Sequence, residues 1–409
     1  MYIASDATAT TIEGDTEMFS KCQLAFAMAA AVGIAGADAT CLAPAAQAAA
    51  DGPLVIAKQG YFFVGGKIDR SIEGSPVVGQ MYVEFQIPQT LEQPYPIVMI
   101  HGGGQTGTNF TGTPDGREGW AQYFLRRGYA VYVVDQVARG RAAHWAQVHG
   151  AMRTPGLRAV EQRFVRPEDA KLWPQAHLHT QWPGAGEPGD AVFEQFYASQ
   201  VPSVADVAKT QALNRDAGVA LLDRIGPAVV LTHSQSGAFG WPIADARPNL
   251  VKAIVAVEPN GPPVHDVEFK GAPDWFADAA NIKKWGLGEI PLAYDPPDPP
   301  EFLLDEKSDA PDLTRCWVQK NPARQLVNLK DIPVLVVTSE ASYHASYDHC
   351  TIKYLRQAGL TRTTFMPLAG RNIHGNGHMM MIEKNSEEIA AAMFNWLSDT
   401  FRSEEKTTR

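Results

Sequence analysis

Cysteine is scarce in this chain, with four in 409 residues and no CxxC pair, which excludes a disulfide-dense scaffold and gives no support to zinc-ribbon or thioredoxin-like chemistry. Positive charge is short as well: 35 Lys and Arg stand against 45 Asp and Glu, a net charge of −10. No basic face is available to neutralise a phosphate backbone, so nucleic acid is not expected as a partner. Long apolar runs are missing too. The longest small or apolar run near the start, Leu24 to Ala37, has 14 residues, short of the roughly 18 to 20 that span a bilayer. Repeats are absent, and the only low-complexity stretch is Ala-rich, near the N-terminus. What is abundant is core material: 45% hydrophobic residues with nine Trp and 35 Gly, which excludes a disordered, collagen-like or coiled-coil chain.

The first 48 residues read as a leader. Lys21 precedes the Leu24–Ala37 run, and APAAQAAADG at 43–52 offers an A-x-A site, the three parts of a secretory signal peptide. Cleavage is expected after Ala48. The preceding residues 1–17 are acidic and polar, which makes Met18 an alternative start. Loss of 1–48 removes five acids and one Lys, taking the net charge from −10 to −6. The reading is therefore a periplasmic or secreted protein, with Cys316 and Cys350 left either to bond each other in an oxidising compartment or to sit as two separate thiols.

From residue 54 the pattern is that of strands. LVIAKQGYFFVGGKI and VVGQMYVEFQI (77–87) are rich in β-branched and aromatic residues and read as an antiparallel opening. Continuous apolar runs follow at 97–100, 129–134, 228–231, 253–257 and 332–337, alternating with helical segments at 119–127, 204–224, 236–246, 349–358 and 386–401. Strands buried on both faces are what a parallel sheet covered by helices requires. The expectation is one α/β domain over 49–409, with insertions at about 138–200 and 260–328. The first insertion reads as a lid or substrate wall.

Chemistry concentrates at AVVLTHSQSGAFGW, 228–241. A strand that turns sharply into a helix holds a serine at a strained, exposed point, and Ser234 occupies that point. The usual G-x-S-x-G is altered: Thr232 and Ser236 stand at the two glycine positions. Ser236 is a second candidate nucleophile. A serine needs a base and an orienting acid, and on folds with this turn the chain order is nucleophile, acid, base. GRNIHGNGHMMM, 370–381, offers His378 and, as an alternative, His374. Their i, i+4 spacing would suit a metal on a helix, but the intervening Gly-Asn-Gly disfavours one, so no metal is expected. For the acid, Glu258 ends a buried strand before Pro259-Asn260-Gly261, and Glu340 ends another strand in the polar SEASYHASYDH loop. Glu258 is the first choice.

Negative charge developing on an attacked carbonyl needs preorganised donors. IVMIHGGGQTG, 97–107, ends a strand in three glycines, and the amides of Gly103 and Gln235 are assigned to an oxyanion hole. Gly102, Gly104 and Gly107 also match G-x-G-x-x-G, but Arg126, Arg127 and Gly128 lie where a ribose-binding acid belongs, so no dinucleotide or other cofactor is expected.

Together these motifs resemble the α/β-hydrolase superfamily, and more narrowly a group of secreted bacterial carboxylesterases with an HSQSG elbow, a Glu acid on the strand after the nucleophile and a HGNxHMMM segment. The resemblance covers roughly 90 to 400. It implies a Ser234–His378–Glu258 triad on a mostly parallel sheet with helices on both faces, cleaving a carboxylic ester through an acyl-enzyme. Where that group has adjacent cysteines this chain has Gly103-Gly104, and its TPDGREGW (113–120) and Asp135–Arg141 segments recur as loop scaffolding. Amide or lactone hydrolysis on the same triad, or a non-catalytic binding module, are the alternatives. The expected partner is a small-molecule ester, with no stable membrane span in the mature chain and a homodimer admitted. His144, Trp145, Trp173, His177 and His179 are expected to wall the substrate pocket.

Overall fold

The computed structural model describes residues 52–408, so the expected leader lies outside them. Eight strands form the central sheet: β1 (Ile56–Ile68), β2 (Val77–Pro88), β3 (Ile97–Ile100), β4 (Val131–Asp135), β5 (Ala228–His233), β6 (Val251–Val257), β7 (Val334–Thr338) and β8 (Thr363–Pro367). Their spatial order is β1-β2-β4-β3-β5-β6-β7-β8. The opening β1/β2 and β2/β4 pairs are antiparallel and all others parallel.

The continuous apolar runs take their meaning from the two-residue period of a strand. Ile97, Met99, Val229, Leu231, Val255 and Leu335 pack on one face, and their neighbours Val98, Ile100, Val230, Ile254 and Val336 on the other. Each face is then covered. Helix α1 (Trp120–Leu125) and helix α5 (Ser386–Thr408) join the first cluster. Helices α2 (Val207–Ile225), α3 (Gly237–Ala246) and α4 (Asp348–Gln357) join the second. Helix α2 begins where the Asp206 carboxylate accepts from the Lys209 amide at 2.9 Å and stops at Gly226, whose φ of +85° breaks the helix. No helix among the described residues is long and apolar enough to cross a membrane.

Two long connections leave the carboxyl ends of the strands. The β4-to-α2 connection is built of short helical turns, closed by the pair Met152–Arg153 with Ser203–Val204. The β6-to-β7 connection holds three small antiparallel pairs, His265–Phe269 with Phe276–Ile282, Tyr294–Asp295 with Gln325–Leu326, and Phe302–Leu304 with Trp317–Gln319. A disulfide between Cys316 and Cys350 ties this second connection to α4.

Candidate functional site

Ser234 sits between β5 and α3 with φ of +55°, a left-handed conformation that costs a non-glycine residue about 1 to 3 kcal/mol and recurs at functional sites. The altered elbow glycines are accommodated. A Cβ at residue 240 would stand 2.9 Å from the Thr232 methyl, so Gly240 makes the room that Thr232 takes. Ser236 is fully buried and engaged, accepting from the His233 amide at 2.8 Å and donating toward the carbonyls of Ile100 (2.7 Å) and His233 (2.9 Å). It braces the turn against the end of β3. Ser234, by contrast, opens into a cleft of about 640 Å³.

Glu258 ends β6 in the same left-handed region, φ +44°. Its buried carboxylate accepts from His378 Nδ1 at 2.5 Å, from the Ser339 amide at 2.9 Å, from the Ser342 hydroxyl at 2.7 Å and from the Ser339 hydroxyl. Such donors aim a buried carboxylate without bulk water. Glu340 and His374 form a separate pair at 3.1 Å, with the Gly375 amide on the second Glu340 oxygen at 2.9 Å. His374 and His378 therefore serve different carboxylates. The polar loop after β7 is largely interior: Ser339, Ser342, His344 and Ser346 are all buried, because their hydroxyls and ring satisfy Glu258, Asp348 and Gln175.

His378 lies in a cage of rings. His233 (4.6 Å between centroids), Tyr343 (4.7 Å), His344 (5.0 Å, 8° between planes) and Phe164 (5.3 Å) pack around it. Burial lowers its pKa well below the ordinary value, and the neighbouring His344 and the Arg163 charge push the same way, so the ring is neutral. Its Nε2 is buried without a hydrogen-bond partner. The Tyr343 phenol stands against the Ser234 hydroxyl. His344 has an acid of its own, donating Nδ1–H to Asp348 at 2.9 Å, while Thr338 donates to the other Asp348 oxygen at 2.6 Å. Sequence reasoning passed over this second imidazole–carboxylate pair, although the i, i+4 spacing of His344 and Asp348 was legible. Glu258, His344 and His378 place potential metal-ligand atoms within 4.8 Å of one another, but the Glu258 oxygens and His344 Nδ1 are already hydrogen-bonded within the protein.

Gly103 and Gln235 lie next to each other in the lining of the cleft that holds Ser234, a Cβ at Gly103 falling 3.7 Å from the Gln235 side chain. Arg139, 3% exposed, bridges their loops: one guanidinium nitrogen donates to the Gly102 carbonyl at 2.8 Å and another to the Gln235 side chain at 3.0 Å. A Cβ at Gly102 would meet the Ser234 Cβ and His233 Nδ1 at 3.0 Å, so the approach of β3 to the elbow depends on glycine there. The GxGxxG glycines end differently, with the Gly107 amide on Asp135 at 2.9 Å.

The expected aromatic and histidine wall is corrected. None of His144, Trp145, Trp173, His177 and His179 lines the cleft with Ser234. Trp173 is buried behind it, donating to the Ala341 carbonyl at 3.0 Å and packing on Tyr343. His179 is buried between Glu168 and Glu383, both at 2.9 Å. His144 binds the Gly150 carbonyl, Trp145 faces another depression and His177 is exposed. Polarity clustered in sequence marked an inner support instead of a pocket wall. The cleft is walled by Pro155, Phe164, Phe269, Tyr343 and Tyr347, from both long connections and the loop after β7.

Comparison with known proteins agrees with this architecture. The Alpha/beta hydrolase family matches residues 97–392. The chain is 46% identical over 343 residues, 82% of its length and 88% of the relative's, to a protein named Probable secreted lipase phiG, from Fungal sp. (strain ATCC 74256). A solved structure described as a novel bacterial esterase superposes with a TM-score of 0.56 at 25% identity, covering 85% of this chain and 98% of its own. With the strand order, the strained serine turn and the family match in agreement, this chain belongs to the alpha/beta hydrolase family.

Proposed function

We propose that the protein is an exported serine hydrolase that cleaves a carboxylic ester through an acyl-enzyme. The observation that carries this reading is the buried His378, whose Nδ1 is held at 2.5 Å by Glu258 while its Nε2 is left without a hydrogen-bond partner, with Tyr343 packing on its ring and standing against the hydroxyl of the strained Ser234. Ser234 Oγ attacks the ester carbonyl carbon as its proton passes to His378 Nε2, and the carbonyl electrons move onto oxygen. The Gly103 and Gln235 amides receive that oxyanion. Collapse expels the alcohol, which takes the proton from His378; water then repeats the sequence on the acyl-enzyme. No cofactor enters these steps. The names of the lipase relative and the esterase neighbour support an ester over an amide, and the secreted relative and the Cys316–Cys350 bond support export.

The test is hydrolysis of short-chain aryl esters by the chain from Ala49 onward. Ser234→Ala is expected to lower kcat by about a thousandfold or more and Glu258→Gln by a large factor, with Ser236→Ala and Glu340→Gln retaining far more. Loss confined to Glu340→Gln would overturn the assigned acid.

A further inference from the structure

The cleft that holds Ser234 has one carboxylate in its lining and two guanidinium groups, and the balance of charge is telling. The carboxylate, Asp266, is already neutralised by an ion pair with Lys283, which also donates to the Pro262 carbonyl at 2.9 Å. The guanidinium groups belong to Arg153 and Arg163, both solvent-exposed and both lining the cleft. Neither has a carboxylate or hydrogen-bond partner among the described residues. Both positions adjoin the reaction centre. Arg163 lies 5.9 Å from the Tyr343 ring, which packs 4.7 Å from His378. Arg153 pairs in register with the adjacent Ser203 and stands two residues before Pro155, whose ring covers Gly104 next to the oxyanion loop.

Two exposed arginines are ordinarily just solvated surface. Here they face one concave site in a chain of net charge −10, so the cleft is a local cationic region on an acidic protein. That arrangement concentrates anions and repels cations. A guanidinium matches the geometry of a carboxylate with two parallel hydrogen bonds. The cleft, about 640 Å³, has room for a small molecule that reaches from Ser234 to either wall. Resting on the ester reading above, we infer that the substrate is an ester that also carries a free carboxylate, recognised by Arg153 and Arg163.

The test compares each anionic ester with its neutral amide counterpart. Monoethyl glutarate against ethyl glutaramate places the charge on the acyl side, and para-acetoxybenzoate against para-acetoxybenzamide places it on the alcohol side. The readout is the ratio of kcat/KM, anionic over neutral, for the natural chain, Arg153→Gln, Arg163→Gln and the two Lys variants. Both side chains are exposed, and thermal midpoints check that the variants are folded. The natural chain is expected to favour the anionic member of at least one pair by about tenfold or more, chiefly through KM, a preference that shrinks as salt rises. In that pair one or both Gln variants bring the ratio down severalfold toward unity, and Lys restores part of it. Turnover of the neutral esters with no anionic preference, or a preference that both Gln variants retain, overturns the inference and leaves the esterase standing. Failure to hydrolyse any of the four esters overturns the ester reading and the inference with it.

Discussion

The backbone amide of Asn260 donates to the carbonyl of Ser234 at 2.8 Å, tying the turn after β6 to the turn after β5. Both turns carry a left-handed, non-glycine residue, Ser234 and Glu258. Each conformation is unfavourable alone, and each is held by the other's backbone and by a close contact at Gly237, where a Cβ would lie 2.5 Å from the Pro259 Cβ. Gly237→Ala is expected to cost about 1 to 3 kcal/mol of stability and to lower kcat more than it alters KM, because it pushes the two turns apart. Urea unfolding and steady-state kinetics on one sample check this; a variant as stable and as active as the parent would show that the turns are not coupled.

Arg139 acts through the groups it holds. Its guanidinium fork spans the Gly102 carbonyl and the Gln235 side chain, a reach that an ammonium group on a longer stem does not reproduce. Arg139→Lys keeps the charge and is expected to lose about tenfold or more in kcat, with KM changing less, and Arg139→Ala more. A loss seen only in KM would assign Arg139 to substrate binding instead.

The pH profile follows from the surroundings of His378. Burial, His344 and Arg163 lower its pKa; Glu258 is the carboxylate in contact with it, and His233, whose pKa is also depressed by burial, faces it from the elbow. As the proposed base, His378 must be neutral to accept the Ser234 proton, so activity is expected to fall as pH drops through this lowered value. The acid limb of kcat/KM is therefore expected below the ordinary histidine value of about 6.5, and Arg163→Gln is expected to move it upward. A limb above that value, unmoved by the substitution, would contradict the assigned environment.

Beneath the His378 loop, His179 joins Glu168 to Glu383, and Glu383 in turn accepts from the amide of Gly377 at 3.0 Å. Burial opposes the charged ring, but hydrogen bonds and charges from both carboxylates outweigh it and raise the His179 pKa to about 9. With a folded value above the unfolded value of about 6.5, its stabilisation is complete below that value and is lost as pH rises through about 9. His179→Ala leaves the fully buried Glu383 without its ion-pair partner and is expected to destabilise by about 3 to 5 kcal/mol. Thermal unfolding between pH 6 and pH 10 should show the parent's advantage over the variant narrowing at the alkaline end.

Hydrophobic order along the chain determined the sheet. Apolar runs with no polar alternation can be buried only on both faces, and the alternating helices supply the cover, so the α/β architecture, the antiparallel start and the strand-to-helix turn at Ser234 were legible in the residues. The chain could also offer two imidazoles and two carboxylates at strand ends. Which met which was decided by tertiary structure: Glu258 reaches His378 because Ser339 and Ser342 from the loop after β7 aim its oxygens, while Glu340, its side chain 22% exposed, turns to His374. The same holds for the polar and aromatic residues of the long connections. A histidine or tryptophan reads alike whether it lines a cleft or supports one from behind, and only the crossing of distant segments placed Trp173 and His179 behind the site and Arg153 and Arg163 in its walls.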